Sequence, residues 1–226
     1  MQYYPILTGL FVAVLMISQV TAVKPVEMAG IVFTGADLIF PLGYLLGDVL
    51  TEIYGFARSR VAIWTGLAAN LLFSLTLWVV GLLPGEPGWM AAGGDEAWQM
   101  LLGLAPRIAA ASLVAYVVGE FVNAYVLSRL KVATRGRFLW LRTIGSSLIG
   151  QGVDTLVFFP IAYLGEWPWD LIWRIMLVAY AVKVGVEAAM TPVTYAVVTF
   201  LKRRTGIDTY DVHTRFNPFR IRIDEE

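Results

Sequence analysis

Six apolar stretches, each about as long as a membrane is thick, divide this 226-residue chain and limit most strongly what it can fold into. A helix rises 1.5 Å per residue, so about 20 apolar residues cross a hydrocarbon core of ~30 Å. Inside that core every backbone N–H and C=O must find a partner within the protein, which leaves helices or closed barrels. The stretches are continuously apolar rather than alternating, and so predict helices. They run Ile6–Val23, about Ala29–Ile53, Val61–Leu83, Ile108–Leu127, Ile144–Leu164 and about Leu171–Leu201. The expected fold class is therefore all-α, a polytopic membrane protein with six transmembrane helices. Composition agrees: 58% of residues are hydrophobic and 15% charged, against about 45–50% and about 25% in soluble domains.

No basic residue precedes Ile6 and no clear small-x-small cleavage site follows Val23, so the first stretch is expected to be a retained span. Glu96–Leu104 reads as a short helix lying in the membrane interface. Alternating spans turn the basic residues into a test of sidedness. Arg58, Arg60, the Arg129–Arg142 loop and the C-terminal tail fall on one side; Lys24, Arg107 and Arg174 fall on the other. Cytoplasmic loops carry the excess of Lys and Arg, which predicts that both termini are cytoplasmic. The expected domains are 1–204, a six-helix transmembrane domain, and 205–226, a polar cytoplasmic tail. A multi-pass protein of the cell (inner) membrane, in contact with the lipid bilayer and paired as a homodimer, is the expected state.

Several polar groups interrupt the spans. The second span carries Asp37, Pro41, Tyr44, Asp48 and Thr51/Glu52 on one helical stripe, because residues three and four apart share a face. Asp48 lies ten residues before Arg58, or ~15 Å along a helix, which places it near the midplane rather than at the surface. The same reasoning brings Glu120, Asp154 and Lys183 to a similar depth, with Thr51, Asn123, Gln151 and Glu187 on adjoining turns. An acid in a span costs several kcal/mol unless it faces a bundle interior or a watery cavity. One lysine can neutralise one or two carboxylates, not four. The surplus of acceptors points to a small heterocyclic ligand rich in N–H donors, or to protons carried as coupling ions. Tyr44, Tyr116, Phe158, Phe159 and Tyr180 offer aromatic faces for a flat ring. A weak echo, Tyr44-x-x-Gly47-Asp48 and Tyr116-x-x-Gly119-Glu120, fits the repeated units common in transporters.

Other chemistries fit less well. Without cysteine the chain has no disulfide, thiolate ligand or thiol nucleophile, and its lone histidine, His213, lies in the tail. No metal or other cofactor is expected, nor a nucleic-acid partner. An intramembrane aspartyl protease would need a Gly-x-Gly-Asp and a Tyr-Asp motif inside spans. Here Asp48 follows Leu45-Leu46-Gly47, and the only Tyr-Asp is Tyr210-Asp211 in the tail. The expectation is not an enzyme.

Four blocks, GDVLTEIYGFARSRVAIW, PRIAAASLVAYVVGEFVNAYVLSRLK, IGSSLIGQGVDTLVFFPIAYLG and KVGVEAAMTPVTYAVVTFLKRRTGIDTYD, together resemble the queuosine precursor transporters, also called the vitamin uptake transporter family. The resemblance covers nearly the whole chain from the second span onward. It implies import of 7-cyano-7-deazaguanine or its aminomethyl relative for tRNA modification. It also implies that Asp48, Glu52, Asn123, Gln151, Asp154, Lys183 and Glu187 sit at recurring polar positions, as does Glu120, which some members replace with glutamine. With Tyr44 these form the expected substrate-binding set. The alternative is a transporter of another vitamin-like heterocycle, a purine or pteridine, acting as a substrate-capturing subunit.

Overall fold

A computed structural model describes residues 2–22, 24–28, 31–103, 106–165, 168–212 and 214–219. Eight helices make up nearly all of it: α1 (Tyr4–Thr21), α2 (Ala36–Tyr54), α3 (Phe56–Gly81), α4 (Pro87–Ala91), α5 (Gly94–Leu102), α6 (Pro106–Ala133), α7 (Leu139–Tyr163) and α8 (Trp169–Thr205). Five of them, α1, α3, α6, α7 and α8, are long and apolar enough to cross a membrane. Helix α2 has the length of a span but carries three acids, Asp37, Asp48 and Glu52, within its 19 residues. It is the centre of the bundle, packed against α1, α3, α6 and α8. From Gly43 to Phe56 every residue is buried. The apolar core runs along it, joining Leu45, Leu46, Val49, Leu50 and Ile53 to Leu7, Phe11, Val14 and Leu15 of α1.

The second span does not begin at Ala29 as expected. Pro25–Met28 (β1) and Ile31–Thr34 (β2) form an antiparallel hairpin, with Pro25 opposite Thr34 and Met28 opposite Ile31. Three of the four β2 residues are β-branched and the fourth is aromatic, a composition that favours a strand over a helix. The hairpin folds back on the end of α1, where Gly35 N–H donates to the Lys24 carbonyl at 2.9 Å. A Cβ on Gly35 would lie 2.6 Å from the Thr21 carbonyl oxygen, so a bulkier residue cannot join the strand to α2 there.

At its other end α2 stops at Gly55, whose φ of +79° is open chiefly to glycine, and α3 starts at the next residue. The tightest helix pair is α6 with α7. A Cβ on Gly150 would lie 2.7 Å from the Asn123 Cβ, and one on Gly119 would lie 2.9 Å from the Asp154 Cβ. These two glycines let the helix backbones meet where the polar side chains lie. With 37 residues, α8 is ~55 Å long and exceeds the hydrocarbon thickness. The start of α1, the α2–α3 corner, the ends of α6 and α8 and the start of α7 share one end of the bundle, here called the base. Tyr4 Oη donates to the Arg58 carbonyl there at 2.9 Å. The short interface helix expected over Glu96–Leu104 corresponds to α5, at the opposite end.

Candidate functional site

Charged side chains gather in two places along the bundle axis. The lower one, at the base, is centred on Glu52. Its carboxylate accepts from Arg142 Nη2 at 2.7 Å and Nε at 3.1 Å, and from Lys202 Nζ at 2.7 Å, with Lys131 Nζ 3.7 Å away. Glu52, Arg142 and Lys131 are all buried. Lys131 also donates to the Glu52 and Thr209 carbonyls and to the Asp208 carboxylate. The tail is thereby drawn under the helices. Thr209 N–H donates to the Ile53 carbonyl at 3.0 Å, and buried Asp211 accepts from Phe56 N–H and from Ser128 Oγ. Arg60 donates to the Asn217 carbonyl and Trp64 Nε1 to that of Pro218, each at 2.7 Å. Burial alone would raise the pKa of Asp208, but hydrogen bonds from Lys131 and Lys202 outweigh it and hold the carboxyl below its ordinary value.

The upper group surrounds a cavity of about 190 Å³ whose lining includes Ser18 of α1, Tyr44 of α2, Tyr116 and Glu120 of α6, Asp154 and Phe158 of α7 and Lys183 of α8. The lining residues of α1, α6 and α7 fall towards the ends of those helices that lie away from the base. Lys183 Nζ donates to Asp154 Oδ2 at 2.8 Å, and the two side chains are 21% and 12% exposed, facing the cavity. Tyr116 Oη donates to the Ile63 carbonyl at 3.3 Å, in a space that Gly66 leaves open: a Cβ there would lie 2.6 Å from that hydroxyl. A smaller cavity of about 20 Å³, the scale of a single water, adjoins Tyr44, Gln151, Lys183 and Glu187.

The expected residues therefore separate into three groups. Tyr44, Glu120, Asp154 and Lys183 line the larger cavity, and Gln151 and Glu187 line the smaller one, which Tyr44 and Lys183 share. Asp48 and Asn123 lie one layer deeper, fully buried, with Asn123 Nδ2 donating to Asp48 Oδ1 at 2.8 Å. Among the described residues Asp48 Oδ2, Asn123 Oδ1 and Gln151 Oε1 have no hydrogen-bond partner. Glu52 is apart from all of these, in the basal cluster. The side chain of Asp37 lies outside the described residues. Sequence reasoning missed Ser18, a single hydroxyl in an otherwise apolar α1 and too small a signal to single out. It also took Lys131 and Arg142 for loop charges, where both are buried partners of Glu52.

A cavity inside an apolar bundle, with a carboxylate, an ion pair and aromatic faces on its walls, can hold a small polar heterocycle away from lipid. Residues 34–197 match the family described as "Putative vitamin uptake transporter". A "Probable queuosine precursor transporter" of Bacillus subtilis is 33% identical over 175 residues, covering 77% of this chain and 75% of that protein. The "Queuosine precursor transporter" of Escherichia coli is 31% identical over 139 residues, covering 62% and 59%. A "Probable queuosine precursor transporter" of Haemophilus influenzae is 31% identical over 130 residues, covering 58% and 52%. No solved structure matches. With the family match spanning most of the sequence and including every residue of both cavities on α2, α6, α7 and α8, this chain belongs to the vitamin uptake transporter family.

Proposed function

We propose that this chain is a membrane importer of queuosine precursors, 7-cyano-7-deazaguanine or 7-aminomethyl-7-deazaguanine, and that it takes them up through the larger cavity. The observation that carries the reading is that cavity, where Glu120, the Asp154–Lys183 pair, Tyr44, Tyr116 and Phe158 meet inside an apolar bundle. The names of the curated relatives support the choice of substrate. The substrate set is Tyr44, Glu120, Asp154 and Lys183 around the ligand, with Gln151, Glu187, Asp48 and Asn123 on the polar axis below, while Glu52, expected among them, serves the basal cluster instead.

In this reading α2 joins the five apolar helices as a span, which makes six, its acids screened by the helices around it. The base, where Arg58, Arg60, Lys131, Arg142 and Lys202 collect, faces the cytoplasm of an inner-membrane protein, and both termini lie there. The cavity then opens to the outside, as uptake requires. The assembly is a pair of identical chains, which cross-linking in membranes tests. The test of the substrate is a thermal-stability screen of the purified protein against purines, pteridines and deazapurines. Deazaguanines raise the melting temperature and unrelated heterocycles do not. A pteridine or other vitamin-like ring that stabilises the protein where deazaguanines fail would replace the assignment.

A further inference from the structure

Two carboxylates face the larger cavity, and they differ in one respect. Asp154 is already engaged, since Lys183 holds its Oδ2 at 2.8 Å. Glu120 accepts no hydrogen bond and forms no ion pair with any described residue, although it is only 7% exposed. Gly47 makes the room for it: a Cβ there would lie 3.1 Å from Glu120 Oε2. A carboxylate group carries about four lone-pair sites on two coplanar oxygens. Buried and without a donor from the described residues, such a group is completed best by two parallel N–H donors on a planar partner.

We infer that Glu120 is the residue that selects the substrate's ring edge, accepting in parallel from a ring N–H and from the exocyclic amine beside it. The inference rests on the deazaguanine reading above and adds to it a specific partner for one edge of the base. Deazaguanines carry that pair of donors side by side. A hypoxanthine-type ring lacks the amine, and an adenine-type ring presents an acceptor where the N–H would be. Asp154 has a different task, to hold Lys183 in place at the cavity wall.

The test measures dissociation constants of purified protein for 7-deazaguanine, 7-deazahypoxanthine and 1-methyl-7-deazaguanine. The native chain binds the first about tenfold to a hundredfold more tightly than either analogue, the size expected for losing one hydrogen bond to a charged group. Glu120→Gln keeps the shape but turns an amide N–H2, itself a donor, towards one of the two ring donors. Its preference for 7-deazaguanine over 7-deazahypoxanthine falls to within about threefold, from the same cause. Glu120→Ala serves as a second variant with the same expected loss of ranking. A native chain that does not distinguish the three ligands overturns the inference, and so does a Glu120 variant that keeps the native ranking. Failure of the native chain to bind 7-deazaguanine and its 7-cyano and 7-aminomethyl forms removes the substrate reading as well, so the two failures are told apart.

Discussion

Glu52 is the side chain whose loss should cost the fold most, because three cations converge on its carboxylate at the base of the bundle. Glu52→Gln leaves Arg142 buried with its counter-charge gone, while Lys131 keeps Asp208, and breaking a buried ion pair from one side costs about 3–5 kcal/mol. A large fall in melting temperature in detergent is the expected result; an unchanged one would mean that the cluster is not what holds the base. The Asp154–Lys183 pair is partly exposed to the cavity, so Lys183→Ala should cost less, about 1–2 kcal/mol. Asp154→Asn should be milder still, as it keeps the shape and most hydrogen bonds. Lys183→Ala combined with Asp154→Ala should cost less than the two single changes summed, and strict additivity in this double-mutant cycle would show that the pair does not interact. Why Glu52 stands apart from Asp48 is plain in retrospect. The two share a stripe, but four residues are ~6 Å of helix rise, enough to carry Glu52 from the cavity's floor to the basal cations.

Among the elements, the tail is the one the sequence conceals most completely. Residues 206–212 and 214–219 look like a solvated end, yet they are tied to α2, α3 and α6 through Thr209, Asp211, Asn217 and Pro218. Backbone carbonyls supply many of those acceptors, and no side-chain pattern announces them. Asp208 gives this docking a pH dependence. Its carboxyl is held below the ordinary aspartate value of about 3.9, so the folded chain takes up that proton less readily than the unfolded one. The stabilisation is complete above the unfolded value and fades as pH falls through the folded one. Because the side chain is 38% exposed, the effect is modest. Asp208→Asn should lower the melting temperature at neutral pH, and its difference from the native chain should shrink towards strong acid. A difference that is the same at every pH would mean that Asp208 does not tie the tail down. Five of the expected spans, α1, α3, α6, α7 and α8, were legible because a long apolar run states its own length. The pairing of 25–28 with 31–34 was not, since Ile31, Val32 and Phe33 read equally well as the first turn of α2.

For the whole molecule, the account joins an apolar bundle, a sealed base and a polar cavity at the other end. Reporter fusions check its orientation. Tags after Glu226 and between Arg135 and Arg137 should be cytoplasmic and one within 84–94 external, whereas an external C-terminus would invert the assignment of the base. The depth estimates drawn from helix rise were enough to bring Glu120, Asp154 and Lys183 together, because a rigid helix converts residue number into height. They could not tell which carboxylate is paired, which depends on how neighbouring helices are rotated. The most direct measurement of the central claim is made in cells that cannot synthesise 7-cyano-7-deazaguanine and lack an importer of their own. Given traces of the precursor and expressing this chain, they should regain queuosine in their tRNA, and Glu120→Ala should lose that rescue while still reaching the membrane. An intact, well-expressed chain that restores no queuosine would contradict the account.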